Sequence, residues 1–249
     1  MKSAQVGNRL LASLPAKDRN HLLGVCERVD LTVGDVLQEP GEPIRFVYFP
    51  VSGIISLLLP VQGRSNLGVG LLGMEGILGI ATVLGVQIAA LQGLVQGPGV
   101  ALRLRPSTFR RQLESSAALR RTMGRYAYVV MAQLAGSAGC VGFHLFEARL
   151  ARWLLMTHDR ASSSEFYLTH ELLSQMLGVR RVSVTTAAGA LKKRSLIAYS
   201  RGAITIVDPA GLEAVSCPCY RKGREIYEDA FGTPARSQSR RPRRRRPHR

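Results

Sequence analysis

The sequence predicts an α+β chain built from an N-terminal antiparallel β-roll, one long helix and a C-terminal winged helix-turn-helix. Three observations carry that expectation. Residues 29–105 break into short β-rich runs punctuated by Gly and Pro. From Pro106 the texture turns helix-compatible for about thirty residues, with apolar positions along one side. Leu168–Leu196 then reads as two short helices around a turn glycine, followed by a hairpin.

The elements follow in order. Asn8–Leu14 and Pro15–Cys26 read as short helices, with Leu10, Leu11, Leu14, Leu22 and Leu23 on the buried side. The runs Val29–Val33, Phe46–Pro50, Ile54–Leu59 and Leu67–Leu72 are separated by turn residues such as Gly34-Asp35, Ser52-Gly53 and Gln62-Gly63-Arg64. Close spacing of this kind means an antiparallel sandwich or roll, closing around Gly99–Arg105. Ser107–Ala138 is expected as one helix with Leu113, Ala117, Met123, Ala127, Val130 and Leu134 on one side. It would be about 45 Å long, more than a small domain needs for its own core, so that face is expected to meet a second copy. Gly136, Gly139 and Gly142 are expected to form a hinge-like break before a helix over Phe143–His158. The expected domains are 8–105, the roll; 106–140, helix and hinge; 141–210, the winged helix-turn-helix; and 211–249, a short helical segment with an Arg-rich tail that has nothing to bury.

The C-terminal motif is where composition turns into chemistry. Thr169 suits an N-cap, Leu172, Leu173, Met176 and Leu177 give an apolar face, and Gly178 stands where a left-handed residue is cheapest. A second helix resumes near Arg181, with Val184, Ala188 and Leu191 spaced to pack on the first. No Asp or Glu occurs from Leu172 to Val207, while Arg180, Arg181, Lys192, Lys193, Arg194 and Arg201 are all basic. Two cations at a helix N-terminus are unfavourable unless an anion docks there, and a phosphate backbone supplies one. The residues expected to face double-stranded DNA are Thr169, Arg180, Arg181, Ser183, Thr185, Thr186, Lys192 and, on the wing, Arg201. The net charge of +17 agrees, and the eight Arg of the tail account for less than half of it.

Other chemistry is poorly represented. The sequence has no Gly-rich loop ending in Lys-Ser/Thr, no His-Glu-x-x-His and no nucleophile elbow, so no enzyme is expected. His144 with Glu147 and His158 beside Asp159 read as surface or packing histidines. Four Cys in 249 residues do not make a disulfide framework. Cys217-Pro218-Cys219 resembles half of a metal site, but structural zinc takes four ligands and no second pair stands nearby in sequence. The expectation is therefore inert thiols, no metal and no cofactor. Gly76–Leu102 is uncharged, yet six Gly and Pro98 suit buried strands and turns rather than a spanning helix. A cytoplasmic protein that meets no membrane is expected.

In this order the elements resemble the Crp–Fnr superfamily of bacterial transcriptional regulators, from about Asn8 to Asp208. The matching residues are Gly34-Asp35-Val36-Leu37, Gly41-Glu42, Tyr48 and Gly53, then Thr169, Leu172, Gly178, Arg181, Ser183, Val184 and Leu196-Ile197 to Ile206. The resemblance implies a cyclic-nucleotide-binding-like roll and a homodimer whose recognition helices enter adjacent major grooves of a two-fold symmetric site. It also implies RNA polymerase as a partner at promoters. Members that bind cyclic nucleotides carry a Gly-Glu for the ribose and an Arg for the phosphate. Here Gly79 is followed by Ile80, the later position reads Gln87-Ile88-Ala89-Ala90, and no Arg or Lys lies between Arg64 and Arg103. A buried phosphate without a cation is costly, so the effector is expected to be something other than a cyclic nucleotide. The pocket would be lined by Leu72, Ile77, Leu78, Ile80 and Ile88, and would hold an apolar effector or be closed by its own side chains. Iron–sulfur members carry clustered N-terminal cysteines, whereas this chain has only Cys26 there. The recognition helix departs too: Arg180 replaces the usual N-cap hydroxyl, Val182 the Glu and Thr186 the second Arg. The alternative is an adaptor for proteins or membrane surfaces, using the roll as a binding module and the tail as a tether.

Overall fold

A computed structural model describes residues 7–61, 66–161, 163–200 and 202–232. The Arg-rich tail and Arg201, both singled out above, lie outside the described residues.

The chain opens with α1 (Arg9–Ala12) and α2 (Ala16–Leu23). Asn8 caps α1 and is fully buried. Its Oδ1 accepts from the Leu10 and Leu11 N–H groups, and its Nδ2 donates to Pro50 O at 3.0 Å and Gly76 O at 2.9 Å. A buried amide with every polar atom used fixes the N-terminal helices to the roll.

The roll comprises β1 (Glu27–Leu31), β2 (Val36–Gln38), β3 (Val47–Pro50), β4 (Ile54–Leu59), β5 (Leu67–Leu72), β6 (Gln92–Gly97) and β7 (Gly99–Leu104). Antiparallel pairing gives two sheets, ordered β1-β7-β3 and β2-β6-β4-β5. Gly53 (φ +85°) and Gly99 meet where two connections cross. A Cβ on Gly99 would lie 2.5 Å from the Gly53 nitrogen, so neither position admits a side chain.

The long helical stretch is two helices, not one. α3 spans Pro106–Ser115 and α4 spans Ala117–Phe143. Ser116 between them is extended (φ −120°, ψ 106°), and its Oγ accepts the Leu119 N–H at 3.0 Å. Local capping at a Ser outcompetes continuation of the helix. The expected break over Gly136–Gly142 is also corrected: all three glycines lie inside α4, which ends only at His144. Leu113, Met123 and Ala127, expected to face a second copy, are buried, and Leu113 and Met123 belong to the core shared with the roll. The exposed seam of α4 is a different one, Gly124, Tyr128, Met131, Ala135, Ala138 and Gly142. Among the described residues α4 is the one helix long and apolar enough to cross a bilayer by length and composition. Here it is closed against protein on two sides, by the roll and by the C-terminal helix.

α5 (Phe146–His158) leads into β8 (Glu165–Tyr167), α6 (His170–Leu177), α7 (Arg181–Lys193), β9 (Ile197–Ser200) and β10 (Ala203–Ile206), with sheet order β8-β10-β9. α8 (Pro209–Val215) and α9 (Cys219–Phe231) follow. α9 is no loose appendage. It returns along α4, where Gln133 Nε2 donates to Gly223 O at 3.2 Å and Arg125 Nη1 to Ala230 O at 3.2 Å. The Phe231 ring lies 6.5 Å from that of Tyr126.

Two apolar cores result, and the second ties the parts together. It joins Leu150, Trp153, Leu154, Met176, Leu177 and Leu191 with Ile54, Leu58 and Leu71 of the roll. A Cβ on Gly68 in β5 would lie 2.6 Å from the Trp153 ring, so glycine permits the close approach. Polar contacts cross the same junction. Arg160 pairs with Glu75 at 2.7 Å, their side chains 12% and 15% exposed, and Gln96 links Ser56 (2.7 Å) to Thr157 (3.3 Å) in a buried chain of hydrogen bonds.

Candidate nucleic-acid interface

The helix-turn-helix is assembled from local signals. Thr169 Oγ1 accepts the Leu172 N–H at 3.1 Å, capping α6, and Gly178 adopts a left-handed conformation (φ 65°, ψ 38°) that ends it. Val184, Ala187, Ala188 and Leu191 of α7 are buried against Leu173, Met176 and Leu177. Burying that side leaves Arg181, Val182, Thr185 and Thr186 exposed on the other, with exposed Arg180 at the N-cap. Ser183 is only half-exposed.

Electrostatics then decides what this face can meet. Among the described residues, no carboxylate stands within salt-bridge distance of Arg180, Arg181 or Lys192, and the first turn of α7 holds no acid. Two cations therefore add to the positive helix end, and the site is built for an anion. Lys192 Nζ donates to Tyr199 O at 3.4 Å, tying the end of α7 to the wing. Thr185 and Thr186 donate to the carbonyls of Arg181 (3.1 Å) and Val182 (3.0 Å), which leaves the Thr186 lone pairs to accept from outside.

Sequence reasoning missed His170. Its ring stacks on Tyr199 with centroids 4.4 Å apart, and its Nδ1 lies 3.0 Å from Thr185 Oγ1. Burial, and secondarily the charge of Arg181, hold its pKa below the ordinary 6.5. The only sequence signal was a lone histidine at the first position of α6. The packing of α7 and the wing around it is what gives it partners.

Four of the five expected effector residues lie together in the roll. Leu72, Ile77 and Leu78 are buried in the roll's core, Ile80 starts a short 3₁₀ turn (Ile80–Leu84), and Ile88 is exposed at 48%. None of the five lines the cavity of about 430 Å³ found between the roll, α4, α5 and α9, whose wall includes Arg9, Glu75, Arg152, Asp159 and Tyr227. Of the other isolated groups, Asp159 accepts from the Tyr220 hydroxyl at 3.0 Å. His144 is drawn towards Cys219. The ligand pair that Cys217 and Cys219 lacked in sequence is present in space: Cys140 and His144 face them from the end of α4. Hydrogen bonding from Cys217 holds the Cys140 thiol down at about 5, and Cys217 is pushed up in turn.

A basic, exposed helix on a winged scaffold, joined by a long helix to a β-roll, defines a helix-turn-helix architecture whose open face suits an anionic partner. Residues 148–215 match the family model of the Crp-like helix-turn-helix domain. FixK2 from Bradyrhizobium japonicum is similar in fold, at 13% identity over 78% of this chain and 98% of its own, TM-score 0.67. TTHA1359, a transcriptional regulator of the CRP/FNR family from Thermus thermophilus, matches 76% of this chain and 98% of its own at 18% identity, TM-score 0.62. The c-di-GMP responsive global regulator CLP from Xanthomonas campestris matches at 14% identity over 77% and 99%, TM-score 0.62. No curated protein sequence matches the chain. The chain thus carries a Crp-like helix-turn-helix domain over residues 148–215, within a fold shared with solved regulators of the CRP/FNR family.

Proposed function

We propose that the protein acts in the cytoplasm as a homodimer that recognises a two-fold symmetric operator, each α7 entering a major groove with half-sites about 34 Å apart. The observation that carries this is the exposed face of α7, cationic and free of internal carboxylates among the described residues. Arg181 is the residue to read a guanine edge, Arg180 and Lys192 to grip phosphate, and Val182 to pack on a thymine methyl. Thr169, Ser183, Thr185, Thr186 and Arg201 complete the proposed contact set. Pairing would use the α4 seam from Gly124 to Gly142, whose 4-3-4-3-4 spacing suits a coiled coil and whose small residues let two helices approach closely. Open space around Gly124 and Gly142 supports that reading.

The effector in this reading is not a cyclic nucleotide, because the turn after Gly79 offers no cation to a phosphate. RNA polymerase is the further partner at a promoter. Enrichment of random duplexes on the protein tests the proposal. A palindromic site should emerge, different from that of relatives with Glu at the Val182 position. Arg181→Ala should weaken it by about 1–3 kcal/mol and relax one base position. Binding that vanishes on deleting residues 233–249 alone would favour the adaptor reading instead.

A further inference from the structure

The C-terminal end of α4 and the start of α9 bring together four soft donors that the DNA-binding function does not use. Cys140 and His144 lie four residues apart and so project from one side of the last turn of α4. Cys217 and Cys219 flank Pro218 where α9 begins. Cys140 Sγ lies 3.4 Å from Cys217 Sγ, Cys219 Sγ lies 3.6 Å from His144 Nδ1, and all four donor atoms fall within 4.8 Å of one another. Sulfur and nitrogen donors around one tetrahedral zinc, at its usual bond lengths, stand roughly 3.5–3.8 Å apart. The two closest donor pairs already stand at about that spacing, and the widest separation in the quartet needs to close by about 1 Å to surround one ion.

The surroundings suit such an ion. Cys140 and Cys217 are buried, while Cys219 and His144 are half-buried, so the site is closed on the protein side. The Cys217 N–H donates to Ala148 O at 3.3 Å, holding the 217–219 corner against the start of α5. Arg152 donates to Ser137 Oγ at 3.1 Å, one turn before Cys140, and its charge acts on the Cys140 sulfur. Three thiolates around a divalent ion leave one surplus negative charge, and this guanidinium offsets it.

We propose that Cys140, His144, Cys217 and Cys219 bind one tetrahedral, thiophilic divalent cation of the zinc class, fastening α8 and α9 to the end of α4. The clamp sits at the junction from which α5 enters the helix-turn-helix domain, with only His144 and Leu145 between the helices. Occupancy would thus stiffen the joint through which α4 carries the recognition helix. A site of this type couples metal binding to stability, because the ligands converge only in the folded chain.

The test uses the full-length chain, purified under reducing conditions, stripped with a chelator and reloaded with Zn²⁺ or Co²⁺. The expected result is one equivalent of zinc and a chelator-reversible rise in melting temperature. Cobalt should give sulfur-to-metal charge transfer and the intense visible bands of a tetrahedral site. Cys219→Ser and His144→Gln, at the less buried positions, should each abolish the cobalt spectrum while far-ultraviolet dichroism stays unchanged. Cys26→Ser, outside the quartet, should keep it. Folded, reduced protein that takes up no cobalt would overturn the proposal. So would recovery of a Cys140–Cys217 disulfide as the resting form under the same reducing conditions. These readouts need no DNA, so they stand or fall apart from the operator proposal.

Discussion

Individual side chains in the motif divide between those that build it and those left for a partner. Gly178 is spent on ending α6, and Val184 and Leu191 on packing, while Thr169 accepts the Leu172 N–H as a cap and keeps its hydroxyl proton to donate. Arg180 and Arg181 are left exposed at a helix end that is already positive. His170 reports on that field. Its ring is stacked on Tyr199 and sits near Arg181, so the neutral form is favoured in the folded protein. The stability this contributes is present above pH 6.5, where folded and unfolded chains are both neutral. It is lost as the pH falls, because unfolded chains take up the proton first. An NMR titration of His170 should therefore give a midpoint below 6.5. Arg181→Ala should move it upward, and a bound duplex, whose phosphates cancel the Arg181 charge, should do the same. A midpoint insensitive to both would show that Arg181 does not act on this ring.

At the scale of elements, α4 has more faces than its hydropathy suggests. One face meets the roll through Met123 and Tyr126, and another is covered by α9. The third carries Tyr128 at 60% and Met131 at 57% exposure. On a 27-residue helix, about 40 Å long, a seam of this kind is where a second copy would lie. Met131→Glu places like charges across a two-fold axis at a cost of several kcal/mol, so self-association should weaken by about 100-fold or more in sedimentation. Met123→Glu should instead unfold the roll's core, because that position belongs to the protein's own interior. Equal dimer loss with an intact fold from both variants would contradict this division.

For the whole molecule, the consequential feature is that the DNA-binding domain rests directly on the outer surface of the β4–β5 hairpin. Trp153 fills the space that Gly68 leaves, and the Arg160–Glu75 pair seals the edge. Glu75→Ala strands a nearly buried guanidinium. It should cost about 3 kcal/mol, the low end for one partner of a buried pair, since Arg160 keeps its bond to Met156 O at 2.8 Å. The midpoint of urea unfolding measures this. Any signal that loosens the junction has the same contacts to break, which links the roll to the attitude of α7 without a flexible hinge in α4.

By itself the sequence determined what depends on neighbours a few residues away. The cap at Thr169, the turn at Gly178, the apolar spacing of both helices and the one-sided charge from Leu172 to Val207 are all local, and the motif they imply is the one observed. The β-runs between Val29 and Leu104 were legible for the same reason, since alternation and turn residues act over short range. Only the tertiary structure decided which apolar side of α4 faces inward, because Met123 and Met131 are equally apolar until the roll is placed. It also decided that α9 folds back along α4, and that Cys140 and Cys217, 77 residues apart, stand with their sulfurs in contact. A coordination shell is a property of distances in space, and no spacing along the chain encodes it when its halves come from different elements.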